Sequence, residues 1–210
     1  MMQWLLKMVL IIYWLGLMLW VGSLMTAGIA AMNTFGTLPD LGVTLDSYAD
    51  YPSAEHGRLA AGMVMERNFF VVDVIQMLVV PLVIVTLLVQ LFWFGMRLRR
   101  PANAIRTVSL LLAAGLFALY AFSLAPRMNR ELRMYWSQAK AGEIQQAEIH
   151  RANFDLDHPR AELILTINLF LLIVGAGASA AAFVESANPP KTSPPESPES
   201  LEPPELLKKS

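Results

Sequence analysis

The sequence predicts an all-α integral membrane protein: a four-helix bundle with an extended amphipathic third helix and a disordered C-terminal tail. Three observations carry this. Hydrophobic residues make up 55% of the 210 and charged residues only 16%, where a soluble domain carries about 25% charged residues. Four apolar runs, about 8–31, 69–96, 107–125 and 163–184, are of the length that crosses a hydrocarbon core. Between the second and third runs sits a short loop with four arginines, Arg97, Arg99, Arg100 and Arg106, which gives the bundle a direction. A net charge of −1 argues against nucleic acid as a partner. The lack of cysteine removes disulfides, thiolate metal sites and cysteine nucleophiles.

The first span, 8–31, carries Trp4 and Lys7 at its start, which suit an interface anchor. A cleaved signal peptide over residues 1–31 is the competing reading, although the apolar run is long for one. Residues 32–68 are polar and punctuated by Gly36, Pro39, Gly42 and Pro52. Ser53 suits the cap of a short interfacial helix leading into the second span. That span, 69–96, ends in the arginine loop, and the third span follows so closely that the two form an antiparallel hairpin. Pro126 closes or kinks the third helix. From Arg127 to Asn153, apolar residues recur at helical spacing between charges. This amphipathic helix either extends the third span out of the membrane or lies on its surface. Asp157 is read as an N-cap, with Pro159 in the first turn of the fourth helix. The fourth span offers small-xxx-small pairs at Gly175/Ser179 and Gly177/Ala181, which allow close backbone approach. The membrane domain is 1–186. Residues 187–210 hold seven of the thirteen prolines, and composition alone predicts disorder there.

Basic short loops stay in the cytoplasm. Both termini are therefore expected there, with Met32–Asn68 and Arg127–Arg160 outside a bacterial cytoplasmic membrane. Within the outer half of the bilayer lies one acid, Asp73, with Gln76 a turn away on the same helix face. A central charge costs roughly 2.5–3.5 kcal/mol on insertion scales, so it faces protein or water and finds a partner. Thr166 and Asn168 lie at comparable depth on the fourth span, with Arg67, Arg127, His56 and His158 just above. The candidate functional polar group is Asp73, Gln76, His158, Asn168, Arg127 and His56. The competing reading is that Asp73 snorkels to the interface or fixes helix register. None of the histidines, His56, His150 and His158, lies in an apolar span, so facing helices offer no bis-imidazole haem site. A metal site from His56, His158 and Glu55 or Glu162 is a weaker reading, and Met63 and Met65 are taken as packing residues. The sequence has no H-E-x-x-H, G-x-S-x-G or glycine-rich phosphate loop. No catalytic residue and no cofactor are assigned.

Scattered positions resemble a bacterial membrane family of unknown function, number 4149, related to the transmembrane protein 205 group. They are Gly16 and Gly22, Phe35 with Leu38-Pro39, Ala60-Ala61-Gly62, Pro126-Arg127, and Phe154 with His158 ahead of Asn168. The resemblance implies a four-span protein with an extended third helix and no established activity, with His158 and Asn168 on its characteristic face. The leading expectation is a non-enzymatic accessory or assembly component whose partners are the lipid bilayer and a membrane protein or a second copy. The alternatives are a small transport or ion-handling module using Asp73 and the outer polar group, and a metal or redox-binding subunit.

Overall fold

The helices run well past the apolar runs that announce them. The computed structural model describes residues 2–187 and places them in four rods. Helix α1 spans Met2–Asp40 and α2 spans His56–Phe92. The third rod is α3, Pro101–Leu119, continued through a π-helical turn, Tyr120–Leu124, into α4, Ala125–Lys140. The fourth is α5, Ile144–Ala187. No strand occurs among the described residues, and all four rods are long and apolar enough to cross a membrane. The chain is a multi-pass membrane protein. The disordered tail expected from 187 falls outside the described residues, apart from Ala187 at the end of α5.

A helix of 39 residues is about 58 Å long at 1.5 Å per residue, nearly twice a hydrocarbon core of about 30 Å. The excess lies at one end. The polar stretches 32–40, 56–68, 126–140 and 144–162 gather there and build a head with its own core of Tyr48, Tyr51, Leu59, Tyr135, Ala139 and Ala147. The membrane core is separate, with Tyr13, Leu17, Trp20, Val83, Leu87, Leu110 and Leu172 at its centre. The rods pair as two antiparallel hairpins, α1 with α2 and α3–α4 with α5. The seam between hairpins is made by α1 against α5 and α2 against α3.

Five local expectations are corrected. Gly36 and Pro39 do not break the first helix, which runs to Asp40 and ends at Gly42 in the left-handed region, φ +61°. The separate interfacial helix after Ser53 is the first part of α2; only the turn Ser53–Glu55 precedes it, with no side-chain cap. Pro126 does not close the third helix. Its ring would clash with a carbonyl one α-turn back, and the π turn just before it, where the Ala125 N–H reaches the Tyr120 carbonyl, shifts that register. The amphipathic stretch 127–153 is two antiparallel segments, divided at Gly142 with φ +74°. Asp157 is therefore no N-cap, because α5 passes straight through it and Pro159. Apolar periodicity saw each helix but not where it stopped, since ion pairs outside the membrane sustain helices that hydropathy reads as loops.

Glycine and small residues set the closest approaches. A Cβ on Gly16 would lie 2.8 Å from Val83 Cγ2, and one on Gly57 only 2.5 Å from the Pro39 Cα. In α5, Gly175 packs against Leu110 and Ser109, and Ser179 is buried. The Gly177/Ala181 pair faces outward, with nothing near Gly177.

Candidate functional site

The six residues of the expected polar group do not form one site. His56, at the head, is a structural staple. Its Nδ1 accepts the Leu45 N–H at 3.1 Å, and its Nε2 lies 3.0 Å from the Tyr48 carbonyl and 3.1 Å from that of Tyr51. Only one tautomer satisfies this: Nδ1 bare and Nε2 protonated. The ring thus closes the loop 41–55 over α2, with both nitrogens engaged and only 4% exposure. It has no lone pair to offer a metal. Among the described residues no three His, Asp or Glu side chains are grouped to hold one.

Arg127 pairs with Asp157 at 2.5 Å, and Asp157 also takes Arg160 at 3.0 Å. The Arg127 hydrogen bond holds the Asp157 carboxyl below its ordinary range. One turn further out, Glu131 accepts from His150 at 2.8 Å and Asn153 at 3.2 Å, and the His150 bond holds its carboxyl low too. These contacts zip α4 to α5. Burial pushes the Tyr51 hydroxyl up, and its short bond to Glu148, 2.5 Å, adds to the effect. Because Tyr51 has one proton and gives it to Glu148, the 3.3 Å contact with Tyr135 has Tyr135 donating. Arg151 lies 3.3 Å from Glu55 and 3.5 Å from Glu148, tying the loop to α5. His158 stays near the surface, 3.3 Å from Glu162 and edge-to-face with Phe154 at 5.0 Å.

Inside the membrane bundle the picture changes. Trp20 Nε1 donates to Gln76 Oε1 at 3.0 Å, bridging α1 and α2. Gln76 and Asn168 are both fully buried, yet the Gln76 amide nitrogen and both polar atoms of the Asn168 amide have no partner among the described residues. Asp73 is half-buried and makes no hydrogen bond or ion pair among the described residues; the buried Tyr120 of the π turn is within its electrostatic reach. Thr166 points outward and Arg67 is exposed, so neither joins the group. The outer polar group is thus split: Gln76 and Asn168 belong to the core, His56 and Arg127 hold the head together, and among the described residues His158 meets only residues of its own helix.

The residues that sequence reasoning missed lie at the opposite end. By sequence Arg106 is one of the loop charges, but it is 6% exposed and inside the bundle. Its Nη2 donates to Gln90 Oε1 at 3.2 Å and touches Met96 Sδ, and the Tyr13 ring lies beneath it at 5.5 Å. Ser179 donates to the Gly175 carbonyl at 2.6 Å, so its 2.6 Å contact with Tyr13 has the tyrosine donating. Each rod contributes one member: Tyr13, Gln90, Arg106 and Ser179. The available signal was spacing, since Arg106 stands apart from the Arg97–Arg100 cluster and one and a half turns into α3. Comparisons with protein-family models, curated proteins and solved structures give no match.

Proposed function

We propose that this chain is a non-enzymatic accessory or assembly subunit of a bacterial cytoplasmic membrane, with its termini and arginine loop in the cytoplasm and its helical head outside. One observation carries the reading. All four rods continue past the bilayer to build a head, on which Arg130 and Arg133 keep their guanidinium groups turned outward although Glu131 and Glu66 lie 3.4 and 3.3 Å away. Arg130 and Arg133 are 70% and 72% exposed and line an open groove of about 490 Å³ with Pro126, Asn129 and Met134. A fixed cationic shelf beside the membrane suits docking of an acidic partner. The resemblance to family 4149 belongs to this proposal. Its positions Gly16, Leu38-Pro39, Ala61, Gly62 and Asn168 sit at helix-packing points here, which supports reading them as a shared architecture.

Light scattering of the protein extracted from its own membrane in mild detergent tests the subunit reading. A complex dissolved by Arg130→Glu with Arg133→Glu supports it; a strictly lone 23.3 kDa chain overturns it. Topology is checked separately, because the chain has no cysteine. A cysteine at Ser47 should react with an impermeant maleimide from outside, and one at Ser210 only after permeabilisation.

The transport reading keeps one observation in its favour, the unpartnered buried amides of Gln76 and Asn168. Buried polar atoms without partners usually mark water or a ligand. Labelling of a Gln76→Cys variant from the aqueous phase would support a hydrated path, and complete protection would remove it.

A further inference from the structure

The loop end of the bundle encloses a cation with no counter-charge among the described residues. Arg106 is shut away by Gln90, Met96 and Tyr13, none of them acidic. The sequence holds no aspartate or glutamate at 2–39, 74–130 or 163–184, so the spanning lengths around this arginine supply none. Two groups here have no partner among the described residues: the Arg106 Nε–H and the amide nitrogen of Gln90, itself 4% exposed. Both are donors, and they belong to side chains already bonded to each other at 3.2 Å. Water would satisfy the donors but not the charge. What satisfies both is an anion with several acceptor oxygens.

We propose that Arg106 and Gln90 form a binding site for a phosphate oxyanion between α2 and α3. A guanidinium offers its N–H groups to phosphate in a planar fork, and here one arm is held by Gln90 while the Nε arm stays free. Tyr13 fixes the plane from below, and its own hydroxyl is anchored on Ser179. Arg97 and Arg99, exposed on the loop above, draw an anion toward this end. Placed shallowly in α3, the site lies near the headgroup level of a bilayer. The phosphate is therefore either that of a lipid headgroup or a free inorganic ion. This inference does not depend on the subunit reading.

Thermal unfolding in detergent, titrated with three probes, tests it. The probes are phosphatidylglycerol, diacylglycerol (the same anchor without phosphate) and sodium phosphate. Saturable stabilisation by phosphatidylglycerol but not diacylglycerol places a headgroup in the site. Saturable stabilisation by sodium phosphate places the free ion there, and either supports the proposal. Arg106→Gln should abolish the response. Should that variant not fold, Gln90→Leu keeps the arginine, removes one neutral donor and should weaken apparent affinity about five- to tenfold. Arg99→Gln, at an exposed loop position, should change it by no more than about twofold. No response to either phosphate probe, or equal responses in wild type and Gln90→Leu, would overturn the proposal.

Discussion

Replacing His56 by alanine tests how the head is held. The ring accepts one backbone N–H, from Leu45, and shares one proton between the carbonyls of Tyr48 and Tyr51. A net hydrogen bond in a water-exposed domain is worth about 1 kcal/mol, so the staple contributes about 2–3 kcal/mol. The local opening equilibrium of the loop should shift by about 30- to 150-fold, at about 1.4 kcal/mol per decade. Hydrogen exchange reads this directly. Amides between 45 and 56 should exchange faster by that factor, while those around Leu17 and Trp20, buried in the membrane core, stay unchanged. Zinc added to the wild type should protect nothing in this window, because both ring nitrogens are in use. A change below about fivefold in the loop would refute the staple, and zinc protection lost in His56→Ala would restore the metal reading.

The remaining expectations follow from contacts already described. Gly57→Ala puts a Cβ against the Pro39 backbone and should cost about 1–3 kcal/mol or more of thermal stability. Gly22→Ala, with nothing within 4 Å, should be neutral or gain up to about 1 kcal/mol in the same melt. Asp157 and Glu131 have carboxyls held below 3.8 and 4.5, their ordinary values. Their contribution is present above those values and lost as pH falls through the depressed ones. Exchange in 125–135 and 150–160, corrected for intrinsic rate, should rise below about pH 4, and less so in Asp157→Asn. Tyr51 is raised, so its contribution is complete below pH 10 and lost on further alkalinisation. Tyr51→Phe should shrink that alkaline loss, followed by near-ultraviolet circular dichroism. Asn168→Leu removes two unpartnered buried polar atoms and should stabilise the bundle by about 1–3 kcal/mol. A loss of stability instead would show that the amide holds water or a ligand.

Fold class and helix number were legible because lipid imposes them. An apolar run long enough to cross a bilayer has one common solution, and four such runs in 210 residues leave little room for anything else. The head was not legible. Its helices are held by pairs such as Glu131 with His150 and Arg133 with Glu66, whose partners stand 19 and 67 residues apart. No local pattern announces such pairs, so Pro126 reads as the close or a kink of one helix and Pro159 as the first turn of another, while the structure carries helix through both. The candidate polar group was legible in depth but not in direction. Depth along each helix was estimated well enough to bring Gln76 and Asn168 into the core, but not which face each residue took. Thr166, two positions from Asn168, turns outward for that reason.

Arg106 shows a limit of a different kind. Counting basic residues near helix ends assigns orientation because a bilayer and its potential act on summed charge. That sum gives Arg106 the same weight as Arg99, although one is enclosed and the other exposed. What separates them is the company available on neighbouring rods. Gln90 and Tyr13 face Arg106 only because α2 and α1 descend beside α3 at the right height, a fact of packing that no charge count contains. The same residue can therefore serve topology during insertion and chemistry afterwards. The two roles come apart in Arg106→Lys: orientation should persist, since the charge is kept. Phosphate-dependent stabilisation should weaken about tenfold or more, since a point charge replaces a planar fork whose free Nε arm carries the proposal. Inverted topology in that variant, or undiminished phosphate response, would show that charge alone is what this position supplies.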